Sequence, residues 1–161
     1  MTPNNPNVTW LRDPGHFLSL GFGSGLAPKA PGTFGTVAAI VVYLPMTLLS
    51  TPVYCAVTIL LFFLGIWLCG RTATQLGTHD HGSIVFDEFV GFLVTMAFVT
   101  CSVSSVILGF LLFRLFDILK PWPISFLDKK VHGGFGIMID DVIAGLFAVV
   151  ILEFIEYLSY I

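Results

Sequence analysis

Charge is what this sequence has least of. Of 161 residues only 7 are Lys or Arg and 10 are Asp or Glu, so 11% are charged while 56% are hydrophobic. An ordinary soluble domain carries roughly 25% charged residues, and this shortfall excludes that class. It also excludes a nucleic-acid partner, which needs a basic surface to neutralise phosphates. Cysteine is scarce as well: Cys55, Cys69 and Cys101 lie inside or beside apolar stretches. Their odd number and wide spacing exclude a disulfide framework and a thiolate metal site, leaving three small core hydrophobes. The N-terminus lacks a basic cluster followed by an apolar core and a small-residue cleavage site, so no secretory signal is expected.

Long apolar runs take the place of charge. Ala30–Gly70 is 41 residues without a charge, Phe89–Phe113 another 25, and the 20 residues from Val142 onward hold only Glu153 and Glu156. A spanning helix needs about 20 apolar residues. The first run therefore predicts two helices, near 35–50 and 53–70, turning near Pro52; the last predicts one. The middle run is long enough for one crossing or for a hairpin turned at residues 100–105. All seven basic residues (Arg12, Lys29, Arg71, Arg114, Lys120, Lys129, Lys130) fall in segments 1–29, 71–88 and 114–141. Only the hairpin puts these three segments on one face, and an excess of Lys and Arg marks the cytoplasmic side. The expected fold is thus an all-α membrane protein, a compact bundle of about five transmembrane or re-entrant helices with a polar active-site face on the cytoplasmic side. Residues 1–20 read as a polar tail and 21–161 as a single membrane-embedded domain.

The polar segments carry the chemistry. In 79–91, HDHGSIVFDEFVG, the acids Asp87 and Glu88 stand directly before the uncharged middle run. Carboxylates at the rim of such a segment are costly unless they bind a cation. A hard ion such as Mg²⁺ takes oxygen ligands, and His79 and His81 add polar groups upstream; the plainer reading is a solvated loop capping a helix. Residues 21–36 hold five glycines and two prolines, which forbid a regular helix and let backbone N–H groups converge at the start of the first long helix. Ser24, Lys29 and Thr33 can add donors to a phosphate there, although the Gly-Lys-Ser/Thr ending of a P-loop is absent. In 113–124, FRLFDILKPWPI, Arg114 and Asp117 share a helix face and Lys120 precedes the helix-ending Pro121. An intrahelical ion pair explains them without a ligand, and so does an arginine that clamps phosphate. In 131–145, VHGGFGIMIDDVIAG, His132 precedes the adjacent acids Asp140 and Asp141, placed at the mouth of the last helix. Gly91 lies four residues after Asp87 and Gly145 four after Asp141, so small residues would let the two acidic helix ends approach.

These strings, with GFGSGLAPKAPGT before them, resemble the phosphatidylglycerophosphatase A family over roughly residues 18–150. The resemblance implies Mg²⁺-dependent hydrolysis of the phosphomonoester of phosphatidylglycerophosphate, yielding phosphatidylglycerol in the bacterial inner membrane. On that reading Asp87, Glu88, Asp140 and Asp141, with Asp117 as a fifth acid, hold Mg²⁺. Arg114, Lys120 and Lys29, with Ser24 and Thr33, neutralise the phosphate, and one of His79, His81 and His132 protonates the leaving oxygen. Other phosphatase chemistries are excluded because no Cys-x5-Arg, Asp-x-Asp-x-Thr/Val, Lys-x6-Arg-Pro or Pro-Ser-Gly-His string is present. The rival class, a small transporter, calls for charges at mid-membrane depth and an internal repeat. Neither is visible.

Overall fold

The computed structural model describes residues 6–159, and every regular element in that span is helical. Short 3-10 turns cover Val8–Arg12 and Gly21–Leu26. The α-helices are α1 (Pro14–Ser19), α2 (Pro31–Met46), α3 (Thr51–Leu76), α4 (Phe86–Thr95), α5 (Val103–Leu119), α6 (Ile124–Lys130) and α7 (Gly133–Ser159). Two of them, α3 and α7, are long and apolar enough to cross a membrane, and α2 is a shorter apolar helix. The uncharged run 30–70 therefore makes two helices. Their turn falls just before Pro52, which sits in the first turn of α3, and Pro45 lies in the last turn of α2, one residue before its end at Met46.

The middle run folds back on itself. Helix α4 ends after ten residues, and Ser102 caps α5 by accepting a hydrogen bond from the Ser105 backbone N–H at 3.0 Å. At this reversal the backbone N–H of Thr100 and the hydroxyl of Ser105, in the first turn of α5, reach the Glu156 carboxylate of α7, each at 3.4 Å. A Glu in an apolar helix thus serves a turn whose polar groups would otherwise lack partners. The α2–α3 turn lies alongside, since Met46–Tyr54 and Met96–Cys101 line one pocket. At the other end of the bundle Arg114, late in α5, pairs with Glu88 in the first turn of α4.

Helix α4 is the hub. Residues 86–93 are all buried, and α4 packs against α2, α3, α5 and α7. One core cluster gathers Tyr43, Phe92 and Phe113 on one side of it; another gathers Leu68, Phe86 and Met138 on the other. The Tyr54 hydroxyl donates to the Leu93 carbonyl at 2.7 Å, satisfying one of the carbonyls that a helix end leaves unpaired. The crossing with α7 is made by glycine. A Cβ on Gly145 would meet the Gly91 carbonyl, and one on Gly91 would meet the Phe113 ring and the Asp141 carbonyl.

One expectation about α7 is corrected. The helix starts at Gly133, which has a φ of 77°, and not near Val142. Asp140 and Asp141 are therefore two turns inside it instead of capping its mouth. The glycines of 133–136 do not break the helix because tertiary packing outweighs their propensity cost of about 1 kcal/mol each.

The expected polar tail contains α1, which is tied to the bundle. Asp13 caps α1 by accepting from the N–H groups of Gly15 at 2.8 Å and His16 at 3.2 Å. Arg71 of α3 grips the same carboxylate with two bonds of 2.9 and 2.8 Å, which hold it well below the usual carboxylate range. Buried His16 places Nδ1 2.9 Å from the Thr72 hydroxyl and Nε2 2.7 Å from Gln75 Oε1.

The glycine crossing is testable by melting the protein in detergent. Gly145→Val drives a side chain into the α4 backbone, which cannot move aside, and overpacking of this kind costs about 1–3 kcal/mol. The melting temperature should drop by several degrees. Val150→Ala on the exposed face of the same helix should change stability by no more than about 0.5 kcal/mol; equal tolerance at the two positions would contradict the close crossing.

Candidate active site

At the end of the bundle opposite the two turns, a cleft of about 370 Å³ opens among the start of α2, the loop before α4, the first turn of α4, the end of α5 and the third turn of α7. Its floor is acidic. Asp87 and Glu88 occupy the first turn of α4, where no side chain caps the helix and carboxylates are favoured by the helix dipole. The glycine crossing sets Asp141 against them. Asp87, Glu88 and Asp141 each offer an oxygen such that all three lie within 4.8 Å of one another, and all three side chains are buried.

Basic groups close two sides. Arg114 pairs with Asp117 three residues on, as the sequence spacing allows, and reaches Glu88 Oε1 at 3.5 Å. Lys120 adopts a left-handed conformation at the end of α5, with a φ of 42°. This turns its ammonium to donate to Asp140 and to Asp128 of α6, each at 2.6 Å. Burial opposes charge on Lys120, but the two carboxylates outweigh it and hold its pKa above the ordinary lysine value. On a third side the α2 backbone comes close, and a Cβ on Gly32 would run into the Glu88 carboxylate and the Arg114 guanidinium.

Several of these polar atoms have no protein partner. Asp87 Oδ1, Glu88 Oε2, Asp140 Oδ1 and Asp141 Oδ2 are buried without a hydrogen bond, and so is Arg114 Nε. Leaving such groups unmet costs roughly 1–3 kcal/mol each, more for charged ones. Unpaired carboxylate oxygens around one point are the donor set of a hard divalent cation, and the residues present fit Mg²⁺.

The acids Asp87, Glu88, Asp117, Asp140 and Asp141 thus meet in one cleft with Arg114 and Lys120. The other expected site residues stand apart from its walls. Ser24 donates its hydroxyl to the Gly21 carbonyl at 2.7 Å, Lys29 is exposed, and Thr33 lies one residue past the part of α2 that lines the cleft. His79 and His132 pack edge to face with ring centroids 4.8 Å apart and line a separate pocket with Gly70 and Ala73. His81 Nδ1 accepts from the Ser83 N–H at 3.2 Å. Asp80, between the two histidines, lines the cleft. Sequence reasoning missed it by following the more distinctive imidazoles on either side. Asp128 was also missed, because its link to Lys120 crosses from α5 to α6.

An all-helical bundle with this acidic and basic cleft can be compared with known proteins. A family model for phosphatidylglycerophosphatase A matches residues 17–156. A phosphatidylglycerophosphatase A of Escherichia coli K12 is 49% identical over 148 residues, which are 91% of this chain and 86% of that one. One of Haemophilus influenzae is 48% identical over 160 residues, 98% of each chain. A Bacteroides thetaiotaomicron protein, provisionally named a phosphatidylinositol-3-phosphatase, is 35% identical over 144 residues, 84% of this chain and 89% of that one. No solved structure matches. The chain belongs to the phosphatidylglycerophosphatase A family and is a phosphatase.

The crowding of unpaired carboxylates has a measurable cost without a cation. In the presence of a chelator, Asp87→Asn and Asp141→Asn should each raise the melting temperature, because each removes a buried acid from beside its neighbours. Relief of about 1 kcal/mol corresponds to roughly 2–4 °C for a chain of this size. A fall in melting temperature would mean that these carboxylates make favourable contacts within the protein.

Proposed function

We propose that this protein hydrolyses the phosphomonoester of phosphatidylglycerophosphate to phosphatidylglycerol and inorganic phosphate, using Mg²⁺, at the cytoplasmic face of the bacterial inner membrane. The observation that carries the reading is the buried Asp87, Glu88 and Asp141 cluster with Arg114 against it. The names of the Escherichia coli and Haemophilus influenzae relatives supply the substrate. Asp87, Glu88 and Asp141 would hold the cation, with Asp140 alongside. When bound, Mg²⁺ supplies positive charge against the phosphate oxygens.

The chain's own groups do the rest. Arg114 presents a planar fork to the phosphate, and Asp117 orients that fork from one turn away. The N-terminus of α2 brings the Gly32 N–H toward the same anion, where a helix end favours negative charge. Lys120 restrains Asp140 while adding positive charge to the cleft. The bundle reads as about five transmembrane or re-entrant helices, α2, α3, α4, α5 and α7. The basic residues flank helix ends on the cleft side, and the turns at 47–50 and 96–102 face away, which supports a cytoplasmic site.

Phosphate release by purified protein from phosphatidylglycerophosphate in mixed micelles tests this. Activity should require Mg²⁺ and vanish with chelator. Asp141→Asn should lose on the order of a hundredfold or more. Arg114→Lys keeps the charge but loses the fork, and should lose about tenfold to a hundredfold. Chelator-insensitive turnover would overturn the metal assignment, and a fully active lysine variant would reduce Arg114 to a partner of Asp117.

A further inference from the structure

Breaking the phosphorus–oxygen bond of a glycerol phosphate leaves an alkoxide, which needs a proton as it departs. The three candidate histidines, His79, His81 and His132, lie off the cleft walls, so the donor must be sought among the groups that line it. Arg114 does not give up a proton at ordinary pH. Lys120, held charged between Asp128 and Asp140, gives one up reluctantly. Asp117 is engaged by Arg114 and Asp140 by Lys120, while Asp87, Glu88 and Asp141 form the cation cluster.

Asp80 remains, and its placement suits the task. Resting on the phosphatidylglycerophosphate reading above, we propose that the Asp80 carboxyl is the acid that protonates the departing glycerol oxygen. It stands on the loop between α3 and α4, lines the cleft, and is exposed at its opening, where an incoming headgroup passes. Among the described residues it has no hydrogen bond or ion pair, and its neighbours His79 and His81 are engaged elsewhere. Desolvation in the cleft mouth raises its pKa above the ordinary carboxylate value. Lys120 at the end of α5 opposes the shift, Asp128 on α6 adds to it, His79 on its own loop opposes it, and Asp117 on α5 adds to it. Asp87 on α4 and Asp140 on α7 also face it. The step balances. Water oxygen bonds to phosphorus, the electron pair of the breaking phosphorus–oxygen bond goes to the glycerol oxygen, and the Asp80 proton completes the alcohol. The carboxylate left behind is reprotonated from solvent.

The test compares phosphatidylglycerophosphate with the same lipid carrying sulfur in place of the bridging oxygen. A thiolate, of pKa near 8.5 for a simple thiol, leaves without a proton. Asp80→Asn should lower kcat on the oxygen lipid about a hundredfold or more while staying within about threefold of wild type on the sulfur lipid. The Mg²⁺ concentration for half-maximal rate should not change, and Asp80→Glu should recover part of the oxygen-lipid rate. Equal losses on both lipids, no loss on either, or a raised Mg²⁺ requirement each overturn the assignment, the last by making Asp80 a cation ligand. A melting temperature matching wild type separates chemistry from misfolding. The same loss pattern in His81→Asn, with Asp80→Asn unaffected, would move the role to the imidazole. A wild type inert on the oxygen lipid would instead overturn the substrate reading itself.

Discussion

The site depends on how closely α4 and α7 cross. Asp87 and Glu88 lie more than fifty residues from Asp141, and helices bearing ordinary side chains pack with axes about 8–10 Å apart. With Gly91 against Gly145 the backbones themselves make the contact, and acids one turn away on each helix are brought to a shared point. Phe113 fills the space beside Gly91, so α5 docks on the same crossing and delivers Arg114 one residue later. A larger residue at either glycine would separate the acids as well as strain the core.

Stability and function oppose each other in this cleft. Three buried carboxylates within 4.8 Å of one another are unfavourable in a protein interior, and one guanidinium does not offset them. The surrounding structure holds them there. The α4 segment 86–93 is enclosed on all sides, and Tyr54 secures its far end through the Leu93 carbonyl. Lys120 is pinned by two acids from different helices. A cation and a phosphate would complete the charge balance that the protein leaves unfinished.

The opposite end of the bundle shows the same dependence on distant partners. Glu156 looks out of place in the apolar C-terminal run. In the fold its carboxylate meets the 100–105 turn through Thr100 and Ser105. Its role there is to stabilise a reversal of chain direction, and that reversal returns α5 to the cleft.

Much of this was legible in the sequence. The uncharged runs gave the long helices, because apolar stretches of that length must be buried or face lipid. The distribution of basic residues argued for a fold-back in 89–113, and Arg114 beside Glu88 shows that it occurs. The acidic pairs and the glycines one turn beyond them are local patterns, so their convergence could be anticipated. Other features depended on contacts between distant segments. Asp140 and Asp141 looked like the mouth of a helix starting near Val142, yet packing carried α7 back to Gly133 and placed both acids inside it. Asp128 holds Lys120 only because α6 packs against α7 and so returns its carboxylate to the end of α5. The histidines carried the strongest local signal for proton transfer, but the direction of a loop side chain is decided by what surrounds it, and the structure set His79 against His132 and Asp80 in the cleft. Composition and spacing determined which groups the chain could bring to one end of the bundle; tertiary packing decided which of them face one another there, because that depends on backbone approach and loop direction that no local pattern encodes.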